Sequence, residues 1–322
     1  MKTILVTIQT GEAERARLRK IAEACGADCE FVFTTAADVT EAQVAAANFI
    51  VGNVPPQWIR ASERLDVVQL FSAGADPYMK PGVLAEKTAL CNATGAYGQA
   101  VSEHAFALTM MLIKKLHLYR SSQMKCTWED HGMVRSLKDA TVLVVGLGDI
   151  GLSYARLVRA MGARVIGVKR RAGSCPDEVD ELVLTEEIDR VLPEADVVMS
   201  VLPSTKETAY FYTAERFEKM KNNALFINCG RGNAVAGDVL CHALQTGEIA
   251  AAAIDVCETE PLPADSPLWL EKNLVITSHV AGNFHLQSIY DGVIDIACAN
   301  LERYLTGQPA LNIVDPETGY KR

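Results

Sequence analysis

The sequence predicts an α/β protein with two doubly wound parallel sheets. The 322 residues exceed the usual span of one hydrophobic core. Strand-like and helix-like segments alternate along both halves of the chain, which is typical of a parallel sheet wrapped by helices. A glycine-rich turn joins a strand to a helix near the middle of the chain. Two domains, each with its own sheet, are therefore expected.

The first half contains eight alternating segments. The loop Ser72–Asp76 follows the fourth predicted strand, at the carboxyl end where open α/β sheets bind ligands. An ordinary βα turn remains the alternative for this loop. The segments are strands at Thr3–Ile8, Glu30–Thr34, Phe49–Val51, Val67–Phe71 and Thr88–Asn92, helices at Glu12–Cys25 and Glu41–Ala47, and a further segment at Trp58–Glu63.

A long helix is predicted over Gln99–Leu118. Apolar residues nearly encircle it, so we expect it to be buried between domains or subunits. Lys114 and Lys115 near its end suit the negative pole of the helix dipole. The helix also carries two histidines, His104 and His117, for which we expect structural roles.

The glycine turn is the strongest local motif. The apolar strand Thr141–Val145 leads into Gly146, Gly148 and Gly151, and the helix Asp149–Met161 begins there. Such glycines let backbone N–H groups approach a pyrophosphate at the positive end of a helix. A strand arrives about 20 residues after the first glycine, as a βαβ mononucleotide unit requires. A tight turn without a ligand is the alternative.

The alternation continues to the end of the chain. The expected strands are Arg164–Val168, Glu181–Leu184, Asp196–Val201, Ala224–Asn228, Ile249–Asp255 and Leu274–Thr277, the helices Glu187–Leu192, Ala214–Lys219 and Val235–Thr246, followed by a helix of some 20 residues from Asn283 and a polar tail.

Composition excludes several classes of protein. The formal net charge is −9 and the basic residues form no long run, which argues against a nucleic-acid partner. The apolar run at the N-terminus reads as a strand, and no apolar stretch of 18 residues predicts a membrane span. Nine scattered cysteines suit reduced thiols in the cytoplasm. Cys25 and Cys29, and the pair Cys241–His242, lack companion ligands, so no metal site is expected.

Three strand ends in the second half carry residues with acid–base or anion-binding chemistry. Arg231, Glu260 and His279 follow successive predicted strands. A guanidinium grips a carboxylate and polarises a carbonyl, an imidazolium delivers a proton, and a carboxylate favours that imidazolium. Together they suit hydride reduction of a keto acid. Singly, each reads equally well as a surface cation, a loop carboxylate or a strand-end histidine.

These segments resemble the D-isomer-specific 2-hydroxyacid dehydrogenase family over nearly the whole chain. The matching blocks are VSEHAFALTMMLIKK, TVLVVGLGDIGLSYARLVRAMGARVIGV, VMSVLPSTKET, ALFINCGRGNAV, AAAIDVCETEPLP and LVITSHVAGN. The resemblance implies that Arg231 binds substrate, that His279 is the acid/base and that Glu260 is its partner. Glu258 is rejected because the family's glutamate directly precedes the proline. Tyr97 stands where many members carry asparagine.

The resemblance also implies the remaining site residues. Backbone amides of Ser72, Ala73 and Gly74, with Arg231, are expected to hold the substrate carboxylate. The expected cofactor-binding residues are Gly146, Gly148, Asp149, Ile150, Gly151, Lys169, Arg170, Arg171, Leu202, Pro203, Thr208, Cys229, Gly230, Arg231, Asp255, His279 and Gly282.

The family's architecture implies a discontinuous, flavodoxin-like substrate-binding domain and a Rossmann cofactor domain. The substrate-binding domain is expected at 1–98, completed by the C-terminal helix 288–322, and the dinucleotide-binding domain at 99–287. The family is typically dimeric, with contacts around the interdomain helix, so a homodimer is expected.

One departure from the family concerns cofactor choice. Where NAD-specific members place an aspartate for the ribose hydroxyls, this chain has Lys169, followed by Arg170 and Arg171. Three cations attract a 2′-phosphate, whereas an aspartate repels it. NADP(H) is therefore favoured and NAD(H) remains possible. A solvated basic turn is the alternative interpretation.

The expected activity is NADPH-dependent reduction of a small 2-keto acid, such as glyoxylate or hydroxypyruvate, to the D-2-hydroxy acid. A phosphoglycerate dehydrogenase is one alternative, although Gly52–Pro56 offers no cation for a substrate phosphate. A nucleotide-sensing binding protein, like the dehydrogenase-related corepressors, is the alternative from another class.

Overall fold

The structure, a computed structural model, describes residues 1–60 and 62–315. The end of the predicted tail, residues 316–322, lies outside this range. The chain divides into two compact units. The first unit is Met1–Tyr97 with the chain from Leu286 onward, and the second unit is Gly98–His285.

The first unit is built on a five-stranded parallel sheet. Its strand order, β2-β1-β3-β4-β5, is the flavodoxin-like order of doubly wound folds. Buried apolar side chains such as Leu5, Ile50, Val68 and Leu90 form part of its core. The strands are β1 (Lys2–Val6), β2 (Cys29–Phe33), β3 (Phe49–Val51), β4 (Val67–Gln69) and β5 (Ala89–Cys91).

The second unit is built on a seven-stranded parallel sheet. Its order, β12-β11-β10-β9-β6-β7-β8, reverses direction beside β6, as in Rossmann folds. The strands are β6 (Thr141–Val145), β7 (Arg164–Lys169), β8 (Glu181–Leu184), β9 (Val197–Ser200), β10 (Leu225–Asn228), β11 (Ala251–Ile254) and β12 (Leu274–Ile276). The predicted fold class is therefore confirmed.

Ten α-helices are assigned among the described residues. They are α1 (Glu12–Ala24), α2 (Glu41–Ala46), α3 (Pro56–Arg60), α4 (Gly98–Ile113), α5 (Leu116–Met124), α6 (Asp149–Ala160), α7 (Ile188–Val191), α8 (Ala214–Glu218), α9 (Gly237–Thr246) and α10 (Gln287–Leu305). None of these helices has the length and apolarity that a membrane crossing requires. Helix α10 packs against α1, and Arg17 on α1 pairs with Asp295 at 2.6 Å.

The predicted helix over Gln99–Leu118 is wrong as one continuous element. It breaks between α4 and α5, where Lys115 adopts a left-handed backbone with φ of 55°. Lys114 and Lys115 do more than suit the helix dipole, because each side chain donates a hydrogen bond to a backbone carbonyl in the loop that follows α5. Lys114 Nζ donates to the carbonyl of Arg135 at 2.9 Å, and Lys115 Nζ to that of His131 at 2.6 Å.

Two other helices begin later than predicted. Gly232–Ala234 forms a 3-10 turn, and Val235 then bridges to Tyr212, so α9 begins only at Gly237. The residues from Asn283 to Leu286 form turns before α10.

Candidate active site

The imidazole of His279 is paired with the carboxylate of Glu260. His279 follows β12, and its Nδ1 lies 2.7 Å from Glu260 Oε2. The side chains are 49% and 37% exposed, so solutes reach both. A carboxylate at this distance accepts a hydrogen bond from Nδ1 and fixes the orientation of the ring. The pair can therefore hold and deliver a proton through Nε2.

The backbone of His279 is held in an uncommon conformation. Its φ is 53°, in the left-handed region that costs a non-glycine residue about 1–3 kcal/mol. Asp255 follows β11 and is 2% exposed, and it stabilises this conformation through several hydrogen bonds to the loop of His279. Its backbone carbonyl accepts the His279 N–H at 2.7 Å. Its carboxylate accepts the Thr277 hydroxyl at 2.6 Å and the N–H groups of Val280 and Ala281 at 3.0 and 3.1 Å.

The two nearby glutamates have different partners. Glu260 also accepts the backbone N–H of Cys257 at 2.9 Å, through Oε1, so both its oxygens are engaged. Glu258 instead accepts the phenol of Tyr210 at 2.6 Å. The structure thus brings Glu260, and not Glu258, to His279.

Arg231 lies in a tight turn after β10. Asn228, at the end of that strand, accepts the N–H of Gly230 and donates to the carbonyl of Arg231, both at 3.1 Å. Arg231 Nη1 donates to the carbonyl of Gly230 at 2.9 Å. A Cβ at Gly232 would lie 1.9 Å from the carbonyl oxygen of Cys257, so only glycine lets this turn meet the glutamate loop. Since β10, β11 and β12 are parallel neighbours, these turns share one edge of the sheet.

The glycine turn has the geometry of an anion cradle on that same edge. Gly146 has φ of 105°, and Gly148 is the N-cap residue of α6. A Cβ at Gly151 would lie 2.0 Å from the carbonyl oxygen of Gly146, which explains the third glycine. The N–H groups of Leu147 and Gly148 have no partner among the described residues. With Asp149 and Ile150 opening α6, this turn suits a pyrophosphate.

The three cations lie at the end of β7, the strand beside β6: Lys169 is its last residue, and Arg170 and Arg171 follow it. Lys169 is half-buried and donates to the carbonyl of Ser174 at 3.3 Å, whereas Arg170 and Arg171 are exposed. A hydrogen bond from Thr205, with smaller contributions from cations including Arg170, lowers the pKa of the Glu207 carboxyl. Arg170 therefore lies within electrostatic range of the loop that follows β9.

That loop contains three predicted cofactor-binding residues, Leu202, Pro203 and Thr208. Leu202 is 6% exposed and Thr208 is 4% exposed. The Thr208 hydroxyl donates to the carbonyl of Pro203 at 2.5 Å and accepts the Thr205 N–H at 2.8 Å. These bonds close the loop on itself.

The other predicted residues lie at the same strand ends or in the first unit. Cys229 is 7% exposed, and burial raises the pKa of its thiol, which stays neutral. Gly282 follows the Ala281 amide that Asp255 holds. In the first unit, Ser72, Ala73 and Gly74 form a half-buried loop after β4.

Comparison with known proteins identifies the family. The profile of the D-isomer specific 2-hydroxyacid dehydrogenase NAD-binding domain matches residues 106–281. Glyoxylate/hydroxypyruvate reductase B of Escherichia coli (strain SMS-3-5 / SECEC) is 30% identical over 270 residues, covering 82% of each chain. This chain belongs to the D-isomer specific 2-hydroxyacid dehydrogenase family. It is an oxidoreductase with an NAD(P)-binding Rossmann unit, and the resemblance drawn from the motifs is confirmed.

Solved structures of the family share the fold of this dehydrogenase. A D-isomer specific 2-hydroxyacid dehydrogenase family protein of Aeromonas salmonicida has 32% identity and a TM-score of 0.82, covering 98% of this chain and 99% of its own. A probable 2-hydroxyacid dehydrogenase of Rhizobium etli, solved with NADP, HEPES and L(+)-tartaric acid, has 25% identity and a TM-score of 0.81. That match covers 99% of this chain and 100% of the other.

Sequence reasoning missed the residues that support the site of this dehydrogenase. Thr277 connects the buried Asp255 to His104 of α4, whose Nε2 lies 3.1 Å from the threonine hydroxyl and 3.6 Å from Asp255 Oδ1. Asn228 orders the turn of Arg231. The sequence does show polar residues at the ends of buried strands, but it does not indicate which residue each polar side chain bonds.

Proposed function

We propose that the protein reduces a small 2-keto acid, such as glyoxylate or hydroxypyruvate, to the D-2-hydroxy acid with NADPH. The observation that carries this proposal is the 2.7 Å contact between His279 Nδ1 and Glu260 Oε2. A keto-acid reductase needs a proton donor whose ring is held in place, and an imidazole hydrogen-bonded to a carboxylate provides one.

Each catalytic residue has a defined task in this reaction. The bound nicotinamide would supply the hydride. Arg231 grips the substrate carboxylate and polarises the keto oxygen, because its planar guanidinium offers paired donors. Since Nδ1 of His279 is engaged by Glu260, Nε2 donates the proton to the developing alkoxide.

The residues present fit a dinucleotide that carries a 2′-phosphate. The glycine turn before α6 offers unpaired N–H groups to the pyrophosphate. Lys169 ends β7, where an NAD-specific site needs a carboxylate for the ribose hydroxyls, and Arg170 and Arg171 follow it. Replacement of that carboxylate by cations supports NADP(H) over NAD(H), with NAD(H) as a possible alternative.

The substrate carboxylate is proposed to bind the amides of Ser72, Ala73 and Gly74. These three N–H groups have no hydrogen-bond partner among the described residues. Consecutive free amides in an irregular loop form a concave anion site. Anchoring at the carboxylate leaves the α-carbon of the keto acid as the reacting centre.

We also propose a cytoplasmic homodimer. The segment after α5 exposes Trp128 fully and Met133 to 92%, and Met124 at the end of α5 is 67% exposed. Large apolar side chains so exposed in one segment favour an interface. All nine cysteines are free, and disulfides are rare in a reducing compartment. Sedimentation of the purified chain tests the dimer.

A panel of 2-keto acids tests the activity. Oxidation of NADPH is followed at 340 nm with glyoxylate, hydroxypyruvate, pyruvate and longer 2-keto acids, and chiral chromatography identifies the product. The D-2-hydroxy acid is expected. If NADPH binds by calorimetry but no 2-keto acid is reduced, the reductase proposal is wrong and a nucleotide-sensing binding protein replaces it.

A further inference from the structure

The loop Phe71–Gly74 is fixed through its carbonyl groups. It follows β4 and lies wholly within the first unit. All four of its carbonyl oxygens accept a hydrogen bond from the same unit. The donors, in loop order, are the hydroxyl of Tyr97, the backbone N–H of Ala93 at 3.0 Å, Nδ2 of Asn92 at 2.8 Å and the hydroxyl of Ser72 at 2.6 Å.

Because peptide groups are planar, these hydrogen bonds to the carbonyls also fix the directions of the loop N–H groups. In a trans peptide the C=O of one residue and the N–H of the next point in opposite directions. Holding the carbonyl of Phe71 therefore aims the N–H of Ser72 away from Tyr97. Holding the carbonyl of Ala73 aims the N–H of Gly74 in the same manner.

Three of the four supports are side chains, and two of these, Tyr97 and Asn92, are buried. Tyr97 is 6% exposed and Asn92 is 7% exposed. Burial raises the pKa of Tyr97 to about 12, so its phenol remains a donor at neutral pH. A third polar residue, Asn53, accepts the N–H of Phe71 at 3.1 Å and donates to the Ser72 hydroxyl at 3.2 Å. The loop is therefore held from three sides before any ligand binds.

We infer that Tyr97 and Asn92 are positioning residues that preorganise the carboxylate site of this reductase. Neither offers its polar atom to the substrate, because each is engaged by a loop carbonyl. They act by aiming the amides of Ser72 and Gly74. This inference rests on the proposed function, since it assigns a carboxylate to those amides. Preorganised donors bind an anion without a reorganisation cost, so the supports set affinity.

Tyr97→Phe is the first test, because it removes one hydroxyl from a buried ring. The KM for the keto acid, and the inhibition constant of oxamate, are expected to rise about tenfold, as for one lost hydrogen bond. The KM for NADPH and the kcat at saturating keto acid are expected to change less than twofold, since the lost binding is uniform. A lower kcat with unchanged KM, or no change in either, overturns the inference.

Tyr304→Phe is the matched control. Its phenol donates to Asp66 at 2.7 Å, at the opposite end of β4. It removes the same hydroxyl from the same unit, and it should leave the KM for the keto acid unchanged. An equal rise in KM for both variants would reduce the effect of Tyr97 to general stability and overturn the inference.

Asn92→Asp is the second variant, and it keeps the size of the side chain. It still accepts the N–H of Thr94, a bond of 3.2 Å in the wild type, but no longer donates to the carbonyl of Ala73. Its negative charge also repels an anion at the loop. The KM for the keto acid should rise by more than tenfold, and an unchanged KM would contradict the inference.

Binding of oxamate to the wild-type protein separates this inference from the proposed function. Oxamate is a carboxylate that can be followed by thermal shift in the presence of NADPH. If no keto acid is reduced but oxamate stabilises the wild type more than Tyr97→Phe, the activity is wrong and the positioning role stands. If keto acids are reduced and both proteins bind oxamate equally, only the positioning role fails.

Discussion

Replacing Thr277 by valine tests how the loop of His279 is held. The Thr277 hydroxyl donates to Asp255 Oδ1 at 2.6 Å, and this carboxylate is 2% exposed. Valine has nearly the same shape, so the change removes the hydroxyl and little packing. A hydrogen bond to a buried charged group contributes about 1.5–3 kcal/mol. His104, 3.1 Å from the same hydroxyl, also loses a partner.

The expected loss of stability is measurable. For a unit of this size, about 2 kcal/mol lowers the melting temperature by about 4–8 °C. The kcat should fall about three- to tenfold, equivalent to about 0.6–1.4 kcal/mol in activation free energy, because His279 keeps its other anchors. Those anchors are its own N–H on the carbonyl of Asp255 and the amide of Val280 on the carboxylate.

Calorimetry and steady-state kinetics on three variants decide the matter. Thr277→Ser keeps the hydroxyl and should restore both values. Thr246→Val is the control, because its exposed hydroxyl bonds only a helix carbonyl, that of His242 at 2.8 Å. If Thr277→Val melts with the wild type and keeps its kcat, the hydroxyl does not support the loop and this reasoning is refuted.

Three further predictions follow from the site and its surroundings. His279→Gln should lower kcat about a hundredfold or more with little change in NADPH affinity, and wild-type turnover would remove histidine from the mechanism. Lys169→Asp with Arg170→Ala should reverse a preference for NADPH of about ten- to a hundredfold, mostly through the cofactor KM. A wild type that uses NADH equally at every salt concentration would contradict it. A hydrogen bond from Lys219 lowers the pKa of Asp189. The contribution of the Asp189 carboxylate to stability is therefore present above its unfolded pKa, about 3.9, and is lost as pH falls through its folded pKa. Asp189→Asn should therefore lower the melting temperature at pH 7 but not at about pH 2, and an equal decrease at both would contradict the pairing.

The sequence predicts the sheets well because their signals are local. Each strand is a short apolar run, and the glycine turn before α6 fixes where the second series starts. The break in the predicted helix at Lys115 had no such signal. A lysine rarely takes a positive φ, and here the backbone is stabilised by contacts with a loop about 20 residues later. Contacts at that distance are absent from any local pattern.

The residues of the candidate site likewise differ in whether a local sequence signal predicts them. Arg231, Glu260 and His279 were predicted because each follows a strand and because the family resemblance selects one glutamate. Asp255 was expected to bind the cofactor, but its bond to Thr277 was not predicted, since the two residues are 22 positions apart and only the packing of β11 beside β12 brings them together. Thr277 becomes part of the site because β12 pairs with β11 in the sheet.

One arrangement recurs at three strand ends and explains why the chemical groups lie on irregular backbone. Asn92 follows β5, Asn228 ends β10 and Asp255 follows β11, and each is at most 7% exposed. The side chain of each residue hydrogen-bonds a turn or loop. Asn92 donates to the carbonyl of Ala73, Asn228 donates to the carbonyl of Arg231, and Asp255 accepts from Thr277 in the loop that carries His279. A strand end is rigid because the sheet holds it, so a short polar side chain there transfers that rigidity to a loop without secondary structure. The amides, guanidinium and imidazole proposed to meet a substrate are thereby fixed before it arrives, and their supports are expected to affect its binding or its turnover without touching it.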